Sequence, residues 1–157
     1  MKKIVVQNKK ARHDYFIEDT YEAGIELFGT EIKAIRKGSA QLKDSYVDFI
    51  NGQAFIKGMY IGPYDKGNRF NHEELRDRRL LLHKQEIRKL ADKVKIKGYT
   101  VVPLELYLND GLAKLLIGLA KDRDIIPQNN DQEDIINQRS TVGGKKKRRK
   151  IKFDDDE

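Results

Sequence analysis

The sequence predicts a mainly β domain, a small closed antiparallel barrel with two to three flanking α-helices, followed by a disordered C-terminal tail. Three observations lead to this prediction. Several segments alternate apolar and polar residues with the period of two that is typical of a half-buried strand. Two pairs of these segments are joined by tight turns that contain Asn-Gly or Asp-Gly. After Lys121 the apolar periodicity ends and blocks of like charge begin, which favours disorder.

The first clear element is a strand that leads into a short helix. Every second residue over Tyr21–Leu27 is apolar, so one face of this segment is apolar along its length. Gly29 then permits a bend, Thr30 is expected to cap a helix with its hydroxyl, and Gly38 is expected to end it. The outer side of this helix carries three cations, Lys33, Arg36 and Lys37. Such a cationic face suits a polyanion, although on a short helix it is often only solvated surface.

A β-hairpin follows the first helix. Ser45–Ile50 and Gln53–Ile61 are predicted to be its strands, and Asn51-Gly52 joins them because both residues tolerate positive φ. Beyond the hairpin, Asn71–Glu74 is expected to form a capping box that starts a short helical turn.

The longest predicted helix covers Lys84–Lys97 and ends at Gly98. Its apolar residues recur at helical spacing and form one stripe of Ile87, Leu90, Ala91 and Val94. Two more strands are predicted over Tyr99–Leu108 and Ala113–Lys121, with a turn at Asn109–Gly111. Short strands joined by tight turns and interrupted by two or three helices indicate a barrel of the oligonucleotide-binding type.

The chain is therefore expected to contain a barrel domain over residues 1–121 and a flexible, polar and charged tail over residues 122–157. The first part of the tail, Asp122–Val142, is polar and mostly acidic. A basic run follows it: Lys145, Lys146, Lys147, Arg148, Arg149 and Lys150. We expect this run to bind phosphates, with a purely solubilising role as the alternative.

Composition limits the classes of partner. The formal net charge is +7 and the sequence pI is about 9.4, which favours an anionic partner, either nucleic acid or an anionic membrane surface. No apolar run approaches the roughly 20 residues that span a bilayer, and the N-terminus lacks the features of a secretory signal. The absence of cysteine excludes disulfides and thiolate zinc sites and fits a cytosolic protein.

No catalytic pattern is present in the sequence. His13, His72 and His83 are far apart, and there is no HExxH motif, Gly-rich phosphate loop or nucleophile elbow. Glu22 and Glu31 are the one candidate carboxylate pair, but Glu31 is interpreted as a helix-start carboxylate that complements the helix dipole. We therefore expect no catalysis, no metal site and no cofactor.

Several motifs, in matching order and spacing, resemble the SmpB family, the protein partner of transfer-messenger RNA. They are Asn8–Ile17 (NKKARHDYFI), Tyr21–Gly38, Arg78–Lys84 with its following helix, Gly98–Leu108 (GYTVVPLELYL) and Lys114–Lys121 (KLLIGLAK). The resemblance implies an oligonucleotide-binding-type barrel that binds the tRNA-like part of transfer-messenger RNA and delivers this RNA to stalled ribosomes. It also implies that the tail becomes ordered in the decoding region of the small ribosomal subunit. The expected location, from the composition and the missing secretory signal, is cytoplasmic.

Candidate RNA-binding residues come from two sources. The residues at family positions tied to RNA binding are Asn8, Glu22, Leu81 and Lys114. On physical grounds we add basic residues that attract phosphate through counterion release: Lys9, Lys10, Arg12, Lys33, Arg36 and Lys121. Glu22 is expected to accept hydrogen bonds from base or ribose donors, and Asn8 to offer both a donor and an acceptor. The alternatives are an exposed strand carboxylate for Glu22 and a plain core residue for Leu81.

The tail departs from the family pattern. The family usually follows its last strand with AKGKK, whereas residues 120–124 here read AKDRD, with two acidic residues in place of glycine and lysine. RNA binding is expected to be retained, and the ribosomal role of the tail is left open by the sequence. The competing function is a general basic adaptor of the oligonucleotide-binding type with non-specific affinity for polyanions. In either case we expect a monomer when the protein is free.

Overall fold

The computed structural model describes residues 2–64 and 71–123, which form nine strands and three helices. Helix bounds are α1 Lys9–Asp14, α2 Gly29–Arg36 and α3 Lys84–Val94. Strand bounds are β1 Lys2–Gln7, β2 Tyr15–Ile25, β3 Ala40–Gln41, β4 Tyr46–Ile50, β5 Gln53–Lys57, β6 Tyr60–Ile61, β7 Arg78–Leu81, β8 Tyr99–Asn109 and β9 Leu112–Asp122. Within these two ranges no helix is both long enough and apolar enough to cross a membrane.

Six of the strands pair in a closed cycle. β8 pairs with β4, and the pairing continues through β5, β7, β2 and β9 back to β8. Every pairing is antiparallel. β1 and β4 share one edge of β8, and β3 and β6 form a separate two-stranded sheet. The prediction of a mainly β, antiparallel architecture with few helices is confirmed.

Two apolar clusters lie on opposite faces of β8 and β9. The main core contains Leu106, Leu115 and Ile117 from these strands, together with buried residues of the other ring strands and of α2 and α3. The smaller cluster consists of Ala11, Val102, Leu104 and Ala120. Because successive strand residues point to opposite faces, α1 packs on the outer face of these two strands through Ala11.

Both predicted tight turns are confirmed. Asn51 and Gly52 have φ of 52° and 75°, and Asp110 and Gly111 have φ of 52° and 84°. Positive φ at both central residues gives the turn the twist that matches antiparallel strands. The hairpins β4–β5 and β8–β9 follow directly from these two dipeptides.

The structure differs from the predictions in the bounds of several elements and in two elements that were not predicted. The strand predicted over Gln53–Ile61 is wrong, because Gly58, at φ 78°, ends β5 and the chain then starts β6, which pairs with β3. α3 ends at Val94, before the predicted end at Lys97. β1 and α1 were not predicted as a strand and a helix.

Two capping predictions are wrong. The hydroxyl of Thr30 does not cap α2; it is hydrogen-bonded to His72 Nδ1 at 2.8 Å, while Glu31 accepts from the backbone N–H of Phe28 at 2.8 Å. No helical turn begins at Asn71. Its side chain instead accepts from the Tyr64 N–H at 2.9 Å and donates to the Tyr64 carbonyl at 3.1 Å.

A buried ion cluster joins α2 to Arg76 and to Arg78, the first residue of β7. Arg78 Nε donates to Glu31 Oε2 at 2.5 Å and Arg76 donates to Glu31 Oε1 at 2.7 Å. The side chains of Glu31 and Arg78 are both 0% exposed. Burial opposes ionisation of Glu31, but the hydrogen bonds from Arg76, the Phe28 N–H and Arg78 outweigh it and lower its pKa. Glu31 starts the helix as expected, yet its two arginine partners were missed.

Candidate functional site

Glu22, Leu81 and Lys114 share one face of three neighbouring strands. Gly24 of β2 pairs directly with Leu81 of β7 on one side and with Lys114 of β9 on the other. Lys114 pairs in turn with Tyr107 of β8. Directly paired residues project from the same face, and Glu22 lies two positions before Gly24, so it projects from that face too. We call Leu81, Gly24, Lys114 and Tyr107 the outer row.

Leu81 is a surface residue in this arrangement. Its exposed fraction is 47%, which excludes the alternative that it is a plain core residue. A Cβ at Gly24 would lie 3.3 Å from Leu81 Cβ, so the leucine side chain lies beside the space that the glycine leaves free. The outer row therefore presents the apolar side chain of Leu81 on β7 and, on the other side of Gly24, the ammonium of Lys114 on β9.

The Glu22 carboxylate is held by the protein. The hydroxyl of Tyr107 donates a hydrogen bond to Glu22 Oε2. The ring of Tyr107 is covered by Lys2, whose Nζ lies 4.4 Å from the ring centroid and 3.1 Å from Glu105 Oε1. Burial, followed by the hydrogen bond to Glu22, raises the pKa of Tyr107, so the phenol remains a donor at neutral pH.

Sequence reasoning missed both Tyr107 and Lys2. Tyr107 lies within the motif Gly98–Leu108 and Lys2 lies in none, but the relation of both to Glu22 depends on how the strands pair. One sequence feature could have located Tyr107. The Asp110-Gly111 turn determines how β8 pairs with β9, and this pairing places Tyr107 opposite Lys114.

Asn8 fixes α1 to β8. Its Oδ1 accepts from the Ala11 N–H at 3.2 Å, and its Nδ2 donates to the Pro103 carbonyl at 2.9 Å and the Leu42 carbonyl at 3.5 Å. Its backbone N–H donates to the Leu104 carbonyl at 2.8 Å. The side-chain amide is thus engaged within the protein, so its main effect is on the position of α1. A direct contact of Asn8 with RNA stays a prediction.

The α1 cations lie on the same face as Lys114. Lys114, Leu116, Gly118 and Ala120 alternate along β9, and α1 packs against the last of them. The exposed cations that α1 adds to this face are Lys9, Lys10 and Arg12. Ten candidate RNA-binding residues were predicted in the barrel domain. The structure brings seven of them to one outer face, if Asn8 is counted because it anchors α1.

The other three candidate RNA-binding residues of the barrel domain lie outside this face. Lys121 is at the opposite end of β9 from Lys114 and an odd number of residues away, so it projects from the other face; its Nζ lies 5.6 Å from the ring centroid of Tyr99. Lys33 and Arg36 are exposed on α2, where Lys33 Nζ lies 5.5 Å from the Tyr64 ring centroid. The basic run Lys145–Lys150 lies outside the described residues.

The three histidines have separate local roles. His13 is exposed and contacts Asp14 at 3.0 Å, His72 connects Thr30 to the Ile61 carbonyl, and His83 precedes α3. Among residues 2–64 and 71–123, no three His, Asp or Glu side chains are arranged to hold a metal ion.

Known proteins of one family match this chain. The family model described as SmpB protein matches residues 5–152. The chain is 60% identical over 129 residues to the SsrA-binding protein of Lysinibacillus sphaericus (strain C3-41), covering 82% of this chain and 83% of that protein. It is 50% identical over 149 residues to the SsrA-binding protein of Geobacillus thermodenitrificans (strain NG80-2), covering 95% and 96%.

A solved structure is also similar. It is named "tmRNA-SmpB: a journey to the center of the bacterial ribosome", and one of its chains matches with a TM-score of 0.66 and 45% sequence identity. The match covers 80% of this chain and 89% of that one. From the family match, the two relatives and this structural similarity, it follows that the chain belongs to the SmpB protein family.

Proposed function

We propose that this chain binds the tRNA-like part of transfer-messenger RNA and delivers it to stalled ribosomes, the rescue process called trans-translation. The observation that carries the proposal is the outer face on which β7, β2 and β9 bring Glu22, Leu81 and Lys114 together. The relatives named SsrA-binding protein and the solved structure named for tmRNA-SmpB and the bacterial ribosome support the same partners.

The outer face combines three kinds of contact. Lys114 and the α1 cations attract phosphates, an interaction that depends on salt and is independent of sequence. Glu22 cannot act in this way, because an ionised carboxylate only accepts hydrogen bonds; it suits the amino, imino or hydroxyl donors of unpaired nucleotides. Leu81 offers an apolar contact to a base or ribose. The last two contacts are what distinguishes a folded RNA from any polyanion.

The proposal also covers the type of barrel, the domain bounds and the location of the protein. We assign the six-stranded cycle to a closed barrel of the oligonucleotide-binding type, with residues 1–121 as the RNA-binding domain. β9 continues one residue beyond the predicted boundary, to Asp122, and the tail proposed to follow it lies outside the described residues from Asp124 onward. The closed order of pairings supports the barrel. The basic run of the tail is proposed to contact the small-subunit decoding region. The protein is assigned to the cytoplasm, where ribosomes translate, and to binding without a catalytic step.

The test is a titration with the tRNA-like domain and with an RNA duplex of matched length, at several salt concentrations. The full chain is compared with a chain that ends at Arg123, which keeps the Asp122 N–H bonded to the Gly98 carbonyl at 2.9 Å. We expect a strong preference for the tRNA-like domain in both. Equal affinity for the two RNAs, together with loss of binding on truncation, would instead show the general basic adaptor.

Leu81→Ala is expected to weaken binding of the tRNA-like domain about tenfold, because it removes roughly 1.5 kcal/mol of apolar contact. The leucine is exposed, so the free energy of unfolding should change by less than about 0.5 kcal/mol. Leu75→Ala is the control, since Leu75 is also exposed and lies outside the outer row. Similar losses of RNA affinity in both variants would argue against a contact at Leu81.

A further inference from the structure

We infer that Tyr107 is a positioning residue for RNA recognition, which acts by holding the Glu22 carboxylate in place on the outer face. The inference rests on the proposed function, because it concerns how the same surface distinguishes one RNA from another. Tyr107 itself is only 3% exposed, so it lies beneath the surface that it organises.

The Tyr107–Glu22 hydrogen bond crosses a whole strand. Tyr107 is on β8 and Glu22 is on β2, and β9 lies between these two strands. Lys114 of β9 is paired with Tyr107, whereas Leu116 is paired with Glu22, so the two side chains meet diagonally over β9. This geometry directs the Glu22 carboxylate from β2 across β9 toward β8.

The tyrosine is itself restrained. The Lys2 ammonium lies 4.4 Å from the ring centroid and is held by Glu105 at 3.1 Å. A cation over the face of a ring is attracted by its quadrupole, so β1 fixes the ring from its outer side. Lys2, Tyr107 and Glu22 therefore form a chain of contacts that runs across β1, β8 and β2.

This chain of contacts restrains the Glu22 carboxylate before RNA binds, whereas an ordinary surface glutamate is not restrained. A glutamate on an exposed strand samples several rotamers and loses that freedom when it binds a ligand. A hydrogen bond that holds one carboxylate oxygen beforehand reduces this loss and fixes the direction in which the carboxylate accepts. Phosphate contacts do not depend on that direction, so the bond should affect specificity and not general RNA affinity.

The protein contains a matched control at the other end of β8. The hydroxyl of Tyr99 donates to Glu18 Oε2 at 2.6 Å, and Lys93 Nζ lies 5.2 Å from the centroid of its ring. The chemistry is the same as at Tyr107, a phenol bonded to a glutamate of β2 beneath a lysine. Tyr99 lies outside the outer row, so removal of its hydroxyl tests the general effect of losing such a bond.

The experiment uses the full chain and four variants: Tyr107→Phe, Glu22→Gln, the double variant, and Tyr99→Phe. Affinities for the tRNA-like domain and for a length-matched duplex are measured at several salt concentrations, and thermal unfolding is recorded for each protein. We expect Tyr107→Phe to weaken binding of the tRNA-like domain about tenfold, with duplex affinity and the salt slope unchanged. It should have little further effect in the Glu22→Gln background, and Tyr99→Phe should bind as the unaltered protein does.

Three results would overturn the inference: unchanged binding in Tyr107→Phe, equal losses for both RNAs, or losses that add fully to those of Glu22→Gln. A similar loss in Tyr99→Phe would also overturn it, because the effect would then be a general one. Failure of the proposed function is recognised separately. In that case the unaltered protein would already bind both RNAs equally.

Discussion

Glu31→Gln is expected to lower the free energy of unfolding by about 3–5 kcal/mol at pH 7, because it leaves a buried arginine without its counter-charge. Arg78 is completely buried and would lose its counter-charge, while glutamine would still accept a hydrogen bond from the Phe28 N–H. The change therefore removes the charge and keeps the start of α2. Urea unfolding at equilibrium measures the difference.

Glu26→Gln is the matched control for this prediction. Glu26 forms an ion pair with Arg79 at 3.1 Å, but both side chains are exposed. An exposed pair contributes about 0–1 kcal/mol, because water and salt screen it. Equal losses in the two variants would contradict the view that the buried cluster holds α2 to Arg76 and to the start of β7.

The effect of Glu31 should also depend on pH. Burial raises its pKa, yet the hydrogen bonds from Arg76, the Phe28 N–H and Arg78 outweigh burial, so the folded pKa lies below the ordinary value of 4.5. A lowered folded pKa means that the stabilisation is complete above pH 4.5 and is lost as the pH falls through the folded value. The difference between the unaltered protein and Glu31→Gln should therefore be constant from pH 7 to about 5.5 and shrink at lower pH.

Glu22→Gln is expected to weaken binding of the tRNA-like domain by about 10- to 100-fold, since hydrogen bonds to a charged group contribute roughly 1.5–3 kcal/mol. The glutamine carbonyl can still accept from the Tyr107 hydroxyl, so the local structure should persist. Its amide would, however, present N–H donors to the donors of the RNA. The duplex should bind slightly more tightly, because a negative charge is removed from a basic surface.

This prediction is specific because the affinity for the tRNA-like domain should fall while the affinity for the duplex should rise slightly. Both affinities are measured at one fixed salt concentration, and Glu18→Gln serves as the control because Glu18 is also on β2 and also accepts from a tyrosine. That control should leave the preference for the tRNA-like domain intact. An unchanged preference in Glu22→Gln would show that the carboxylate does not read the RNA.

Local sequence patterns determined much of the fold. Asn51-Gly52 and Asp110-Gly111 determined two hairpins, because few other residues adopt positive φ at both positions of a tight turn. The stripe that includes Ile87 and Leu90 determined α3, since a period near 3.6 places these residues on one buried face. In each case the residues that form the element are close together in sequence, so the pattern can be read without knowledge of the fold.

Only the tertiary structure decided the contacts that define the candidate site. Within the triplet Leu80–Leu82, strand pairing decided that Leu81 faces out beside Gly24 while Leu80 is buried. The register of three strands brought the Tyr107 hydroxyl to Glu22 across 85 residues of sequence. Packing of α2 likewise placed Glu31 on Arg78 across 47 residues. A side chain's periodic position indicates which face it occupies, but its partner on a distant strand or helix is determined by register and packing, which no local pattern encodes.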